Sequence, residues 1–328
     1  MEAIRVQDLS KNYRIATRPA GIRAAARQLF HPQYSDVPAL SGLSFEIEAG
    51  EMVGLIGPNG AGKTTCLKIL SGLLHPTSGF VSVHGFTPAL RDHAYLRQMS
   101  MVIGNKSQMI WDIPPLDSFQ VLREIYAVDQ RDYQNTLDEL IKLLQMETLL
   151  QKPVRSLSLG ERMKCELTAA LLHRPKILFL DEPTLGLDIS TQIRLRAFLK
   201  EYNKRHAVTM IITSHYMDDV QALCSRVILI HHGQMLYNGQ LSALARQIAP
   251  YKIIKIKTSA NVEISADELP KSTELISQAD HEMDFRVAIE HTAEVIPVLL
   301  QRFPITDLTI EEPPIEAVID KIYSEGQL

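Results

Sequence analysis

The sequence predicts an α/β fold built around a parallel β-sheet. Two apolar runs, at 176–182 and 209–215, lack the alternation of half-exposed strands, and a helical pattern lies between them. A third apolar run, at 52–56, precedes a glycine-rich loop and another helical pattern. Such strands are covered on both faces by helices, which is the arrangement of a parallel sheet.

The glycine-rich loop and the start of the next helix have the pattern of a phosphate-binding loop. The residues are Gly57, Pro58, Asn59, Gly60, Ala61, Gly62, Lys63, Thr64 and Thr65. Glycines let successive backbone N–H groups face a triphosphate, with the helix N-terminus behind them. We expect Lys63 to reach the β- and γ-phosphates and Thr64 to bind Mg²⁺. A chance glycine-rich turn is the alternative, which the flanking strand and helix disfavour.

Near the N-terminus, residues 3–6 and 43–48 alternate as strands. Residues 16–38 between them differ, with a basic helical pattern whose apolar positions are Ile22, Ala26, Leu29 and Phe30. One interpretation is a short surface helix in an insertion. The other is an amphipathic segment that touches a membrane protein or anionic lipid.

The remaining chain predicts three further regions. Residues 90–165 are predicted to be a mostly helical block, and Arg226–Ile230 a further strand. From Arg246 onwards there are 8 Lys and Arg against 15 Asp and Glu, a balance of −7, whereas the rest of the chain carries +3. This charge step supports a boundary near residue 245, with a small α+β domain at 246–328.

Composition indicates a globular protein of the cytosol. The chain has 328 residues, a net charge of −4 and three widely spaced cysteines, which we expect to be reduced thiols. Cys66, just after the phosphate loop, is expected to be a small buried side chain rather than an oxidisable one. No signal core and no run of 18 apolar residues occurs, so we expect no membrane crossing by this chain. The charge gives no reason to expect nucleic acid as a partner.

Two adjacent acids end the apolar run at 177–182. Asp181 and Glu182 follow the strand at its carboxyl edge, where ligands of parallel sheets bind. We expect Asp181 to hold Mg²⁺, and Glu182 to polarise a water molecule for attack on phosphorus. An acidic turn without this role is the alternative, which the phosphate loop earlier in the chain disfavours.

The order of motifs resembles the ATPase subunit of ABC transporters over residues 1–240 or so. The motifs are GPNGAGKTT, then LSLGE, then ILFLDEPTLGLD, then TSH. P-loop kinases and GTPases lack the LSLGE element. The usual signature of the family is LSGGQ, so Leu159 replaces its first Gly and Glu161 its Gln, while Ser158 and Gly160 remain.

The resemblance implies that two such chains face each other and enclose two ATP molecules. Ser158 and Gly160 would then contact the γ-phosphate bound by the other subunit, and Asp188 would join the two sites. His215 matches the switch histidine, which bonds the γ-phosphate and positions the attacking water. Tyr13 matches the aromatic residue that stacks on adenine.

The family also has a glutamine loop that senses Mg²⁺ and touches the transport partner. Gln108 is our choice for this residue, although the count to the following Ile113-Pro114 fits Asn105 as well. Trp111, the only tryptophan, lies in the same segment. It is expected either to contact the partner or to be buried in the helical block.

The resemblance implies an ATPase on the inner face of the cell membrane, dimeric and bound to an integral-membrane permease. The insertion near residue 20, the LSLGE variant and the acidic tail most resemble ATPase subunits of ABC-2-type bacterial exporters. A soluble ABC ATPase of DNA repair or translation is the main alternative, although this chain has no second phosphate loop. A binding module without turnover is disfavoured because Lys63, Asp181, Glu182 and His215 are all present.

Overall fold

A computed structural model describes residues 2–16, 34–104, 106–214, 216–260, 269–270 and 272–325. In it the chain divides into two compact units, Met1–Gly239 and Gln240–Leu328. We predict the boundary near residue 245, and the division lies about six residues earlier. The reason is the helix Leu241–Ile248, which contacts the last helix of the second unit, Ile315–Glu325.

The first unit alternates strands and helices. Its strands are, in chain order, β1 (Glu2–Ala16), β2 (Tyr34–Glu48), β3 (Met52–Ile56), β4 (Ser78–Val83), β5 (Met99–Ile103), β6 (Ile177–Asp181), β7 (Thr209–Thr213), β8 (Arg226–His231) and β9 (Gln234–Gln240). Its helices are α1 (Lys63–Leu70), α2 (His93–Leu96), α3 (Pro115–Tyr126), α4 (Gln130–Leu144), α5 (Leu159–Leu171), α6 (Ile189–His206) and α7 (Met217–Leu223). Among the described residues, no helix has both the length and the apolar character needed to cross a membrane.

The predicted parallel sheet is confirmed. Its strand order is β5-β6-β7-β3-β8-β9, and β5, β6, β7, β3 and β8 run parallel. Every residue of β3, β6 and β7 is buried, as expected for strands covered on both faces. Asp181 lies opposite Thr213 on β7 and opposite Ile103 on β5, so the ends of these strands meet at one edge.

Strand β5 lies inside the region 90–165, which we predict to be mostly helical. It spans only the run Met-Ser-Met-Val-Ile, which fits a buried helical turn as well as a buried strand. Pairing with β6 decides the outcome, with Met101 opposite Phe179. Helices α3, α4 and α5 make up most of the remaining block, as predicted.

An antiparallel sheet of order β2-β1-β4 packs beside the parallel sheet. Its inward residues Ile4, Val6 and Phe45 belong to the same buried cluster as Leu55 of β3. The β1–β2 ladder extends to Ala16 opposite Tyr34, so residues 34–38, predicted as part of the insertion, belong to β2. The amphipathic helix predicted in that insertion lies in residues 17–33, outside the described part of the chain.

The three cysteines are free thiols inside the first unit. Cys66, Cys165 and Cys224 are all buried. Burial raises the pKa of Cys66 to about 12, so its reactive thiolate is suppressed at neutral pH. This agrees with a packing role for Cys66 rather than an oxidisable one.

The second unit is a small α+β structure, as predicted. Its elements are α8 (Leu241–Ile248), β10 (Tyr251–Thr258), β11 (Thr273–Ala279), β12 (Glu282–Ala288), α9 (Thr292–Arg302), β13 (Ile305–Glu311) and α10 (Ile315–Glu325). The antiparallel sheet has the order β11-β12-β10-β13, and Ile254, Phe285 and Leu299 lie in its core. The sequence does not predict strand β11, because it is an edge strand with mostly exposed side chains.

Candidate nucleotide-binding site

The phosphate loop connects β3 to α1, and its geometry requires glycine at two positions. A Cβ atom on Gly57 would lie 2.3 Å from the carbonyl oxygen of Ile230. Gly62 has φ +108°, and a Cβ there would lie 2.6 Å from the carbonyl oxygen of Ala39. Only glycine fits both places, so the chain can turn tightly from β3 to the N-terminus of α1, where backbone N–H groups favour an anion. The loop therefore fits a phosphate group.

Lys63, the first residue of α1, folds back over this loop. Its ammonium donates hydrogen bonds to the carbonyl oxygens of Gly57 at 2.6 Å and Pro58 at 3.1 Å. Burial lowers the pKa of Lys63, and the neighbouring carboxylates of Glu182 and Asp181 oppose this shift. A cation is thus held beside the loop, where a phosphate would complement its charge.

Asp181 and Thr64 form the oxygen-rich part of the site. The Thr64 hydroxyl donates to Asp181 Oδ2 at 3.0 Å, across 117 residues of chain. Thr213 at the end of β7 donates to Asp181 Oδ1 at 2.8 Å. Mg²⁺ prefers hard oxygen ligands and usually takes only one or two from protein side chains. The hydroxyl and the carboxylate therefore fit the predicted metal.

Glu182 has a left-handed backbone conformation, with φ +54°. Its N–H group donates to Thr213 twice, to the carbonyl oxygen at 3.1 Å and to the hydroxyl at 3.0 Å. Left-handed conformations of non-glycine residues are held in place by their surroundings and are frequent at functional sites. Glu182 lines a cavity of about 250 Å³ together with Thr64 and Asp181.

Tyr13 lies near the far end of the phosphate loop. Its hydroxyl is 3.4 Å from that of Thr65, and the Lys11 ammonium is 5.5 Å from the centre of its ring. The partly exposed ring is available for stacking. Strand β1 places Tyr13 beside the loop, and its contact with adenine stays a prediction.

Ser158 and Gly160 lie at the N-terminus of α5. The Ser158 hydroxyl accepts from the N–H group of Glu161, and the Glu161 carboxylate accepts from the N–H group of Ser158. This capping box makes use of the Glu that replaces the usual Gln. Among the described residues, neither Ser158 nor Gly160 lines the cavity beside Glu182.

Asp188 caps helix α6 and contacts the signature segment indirectly. Its carboxylate accepts hydrogen bonds from the Ser190 hydroxyl and from both the N–H group and the hydroxyl of Thr191. These bonds hold the pKa of Asp188 well below its usual range. Thr191 in turn abuts Gly160, where an added Cβ would lie 2.9 Å from Thr191 Cγ2. The two predicted interface segments thus touch each other within one chain.

Gln108 is placed away from the metal side of the site. Its amide nitrogen donates to the carbonyl oxygen of Met101 at 3.1 Å, and it does not line the cavity beside Asp181. Gly104 and Lys106, the neighbours of Asn105, do line that cavity. The metal role of Gln108 and the alternative at Asn105 both stay predictions. Asn105 itself lies outside the described residues.

Two further predicted residues have a different outcome. His215 is outside the described part of the chain, so its switch role stays a prediction. Trp111 is 47% exposed, which contradicts the interpretation that it is buried in the helical block. The contact interpretation for Trp111 stays a prediction.

Sequence reasoning missed a buried polar network beside the site. Asp219 on α7 is 1% exposed and accepts from the hydroxyl of Ser214 at 2.6 Å and from Nε of Arg196 at 2.5 Å. The Thr184 hydroxyl also donates to it. The network joins the segment after β6 to the segment after β7. In the sequence Asp219 resembles any acidic residue in the first turn of a helix, so no signal marks it.

The fold and the site together define the class of protein. A glycine-rich loop opens a helix after a central parallel strand, and a paired Asp and Glu end a strand at the same edge. This is the arrangement of a P-loop nucleoside triphosphatase.

Comparison with known proteins identifies the family. The profile of the family described as ABC transporter matches residues 40–185, and the profile described as EvrA-like ABC transporter, C-terminal domain, matches residues 250–311. ABC transporter ATP-binding protein NatA of Bacillus subtilis (strain 168) is 34% identical over 215 residues, covering 66% of this chain and 87% of NatA.

A second relative and a solved structure agree. Nod factor export ATP-binding protein I of Burkholderia orbicola (strain AU 1054) is 32% identical over 225 residues, 68% of this chain and 73% of that protein. A structure described as the ATP-binding subunit of an ABC transporter has a TM-score of 0.62 at 25% identity, over 75% of this chain and 92% of that one. The chain therefore belongs to the ABC transporter ATP-binding proteins. It is an ABC ATPase, which binds and hydrolyses ATP as a transporter subunit.

Proposed function

We propose that this chain powers an exporter, as one of two ATPase subunits bound to a separate integral-membrane permease. The observation that carries the proposal is the phosphate site. In it, Lys63 and Thr64 follow the glycine-rich loop, and Thr64 lines one cavity with Asp181 and Glu182. The export direction is supported by the similarity to a Nod factor export protein. The similarity to ABC-2-type exporters in the insertion and signature supports the same direction.

The residues of the site divide the work of hydrolysis between them. The loop 57–65 binds the phosphates with its N–H groups, and Lys63 contributes a positive charge. Thr64 and Asp181 would hold Mg²⁺, which when bound neutralises charge on the phosphate oxygens. Glu182 lines the same cavity as Thr64 and Asp181, and it accepts a proton from the attacking water there.

Three more residues complete the proposed reaction centre. Tyr13 stacks on adenine, and its place beside Thr65 supports this role. His215 bonds the γ-phosphate and orients the water. Asp188 couples the two sites of the dimer through its hydrogen bonds to Thr191 at the start of α6.

A dimer is supported by the position of the signature residues relative to the cavity beside Glu182. Ser158 and Gly160 match the signature of the family, yet among the described residues neither lines the cavity beside Glu182. We propose that these two residues act on the nucleotide of the opposite subunit, in a homodimer. The N-terminus of α5, with its partial positive charge, suits a contact with the γ-phosphate.

The permease contact is proposed on the helical block. Helices α3 and α4 border a groove of about 780 Å³, lined by Val121 and Tyr133 among others. Val121 and Ile125 are exposed apolar residues four positions apart on one face of α3, and Ile125 is 66% exposed. An exposed apolar face of this kind suits a protein partner. Through this contact the chain, on the cytoplasmic side, would be held at the inner face of the cell membrane.

The experiment that tests the proposal uses Glu182→Gln, which should bind ATP but fail to hydrolyse it. With ATP present we expect this variant to elute as a dimer in size-exclusion chromatography and to recover a multi-span membrane protein from solubilised native membranes. Lys63→Ala, which loses a phosphate contact, is the matched control and should stay monomeric. Recovery of ribosomes or DNA instead would support a soluble ABC ATPase and contradict the proposal.

A further inference from the structure

The 106–111 loop, which follows β5, joins two parts of the site. Lys106 at its start lines the cavity beside Glu182. Trp111 at its end places its ring centre 5.0 Å from the guanidinium of Arg162 on α5. The loop therefore runs from the phosphate side of the site to the helix that begins with the signature.

A buried carboxylate on α5 fastens the middle of this loop. Glu166 accepts a hydrogen bond from the Ser107 hydroxyl, and the N–H group of Gln108 lies 3.0 and 3.2 Å from its two oxygens. Glu166 is only 5% exposed. Burial raises the pKa of Glu166, whereas the hydrogen bonds from Ser107, Gln108 and Met109 lower it. The loop donors and the nearby Arg162 guanidinium thus offset part of the cost of burying this carboxylate.

The attachment points share one face of α5. Arg162 and Glu166 are four residues apart, and the helix begins directly after Ser158. A cavity of about 340 Å³ lies beside them, lined in part by Lys106 and Trp111. Because this side of the loop faces a cavity, its hydrogen bonds to Glu166 and the cation–π contact of Trp111 with Arg162 attach it to the helix.

We propose that Glu166 is a positioning residue for ATP hydrolysis. It fixes the 106–111 loop to α5. The cavity beside Glu182, and Ser158 at the start of α5, then keep the same relative position while nucleotide binds. The proposal rests on the proposed function, since it assumes that Ser158 acts on a nucleotide.

Glu166→Gln is the first test. The amide keeps the shape of the side chain but directs N–H donors at the donors of Ser107 and Gln108. We expect kcat for ATP to fall about tenfold or more, because hydrogen bonds to a charged group are lost. KM should change less than about twofold, since the 57–65 loop is untouched. Glu147→Gln, an exposed carboxylate in the same helical block, is the matched control and should behave like the wild type.

Ser107→Ala tests the contact from the loop side. Ser107 is exposed, so this variant should fold even if Glu166→Gln does not. We expect a smaller fall in kcat, of about threefold, and no further fall when both substitutions are combined. Effects that multiply in the double variant would overturn the proposal, as would a wild-type kcat in Ser107→Ala.

Trp111 supplies a readout besides activity, because it is the only tryptophan of the chain. Adding ATP with Mg²⁺ should shift its fluorescence in the wild type. In Glu166→Gln the shift should be lost, while filter binding shows that labelled ATP still binds. A wild-type shift and kcat in Glu166→Gln would overturn the role of Glu166. A wild type that neither binds nor hydrolyses ATP would instead refute the proposed function.

Discussion

Thr213 supports both acids of the site, and replacing it tests how the site is held together. Its hydroxyl donates to Asp181 Oδ1 at 2.8 Å and accepts from the N–H group of Glu182 at 3.0 Å. The side chain is fully buried at the end of β7. Thr213→Val keeps the shape of the side chain and removes both hydrogen bonds.

The size of the effect follows from these two bonds. The N–H group of Glu182 keeps a second acceptor, the carbonyl oxygen of Thr213 at 3.1 Å, so its loss is partial. The main loss is the bond to the Asp181 carboxylate, which is worth about 1.5–3 kcal/mol for a charged acceptor. If that amount is lost from the transition state, kcat falls roughly 10- to 150-fold.

Steady-state phosphate release by purified protein measures this prediction. Thr209→Val is the matched control, because Thr209 is a buried threonine at the opposite end of β7 whose hydroxyl accepts from the N–H group of Gly50 at 2.9 Å. The control should lose stability and keep kcat. If Thr213→Val keeps a kcat within about twofold of the wild type, the bonds to Asp181 and Glu182 do not position the site.

Three further predictions concern other parts of the first unit. Glu182→Gln should lower kcat at least about 100-fold and leave ATP binding intact, measured by phosphate release and filter binding. Burial lowers the pKa of His173 to about 4, below its usual 6.5, so the unfolded chain binds the extra proton first. The free energy of unfolding should therefore decrease as pH falls from 6.5 to about 4, and this slope should weaken in His173→Gln, measured by urea unfolding. Arg196→Met should lower the free energy of unfolding by about 3–5 kcal/mol, because it leaves the buried Asp219 carboxylate without its cation.

Each of these predictions has a contradicting result. Retained hydrolysis in Glu182→Gln would remove this residue from the reaction. An identical pH slope with and without His173 would mean that other groups cause the acid sensitivity. A stability unchanged by Arg196→Met would mean that the hydroxyls of Ser214 and Thr184 suffice for Asp219.

The sequence alone determined the elements whose signals are local. The apolar runs at β3, β6, β7 and β8 predict buried parallel strands, because a strand covered on both faces has no polar alternation. The phosphate loop is also local, since Gly57 and Gly62 occur where only glycine fits. Motif order supplied the family resemblance, which the comparisons confirm.

Tertiary structure decided the features that depend on distant partners. The run at β5 is a strand only because β6 offers it a partner, and β11 is a strand because β12 pairs with it. The outer half of β1 pairs with residues 34–38, which the sequence assigns to an insertion. Local periodicity contains no information about such pairings.

The site shows the same division between local and distant information. The residue types of Lys63, Asp181 and Glu182 are evident from motifs, but the bond from Thr64 to Asp181 spans 117 residues and depends on the sheet order. Thr213 was noted only as part of the TSH motif and Glu166 not at all, because a threonine in a strand or a glutamate in a helix has no pattern that reveals its hydrogen-bond partners. Their roles arise only where folding buries a charge and brings its donors to it.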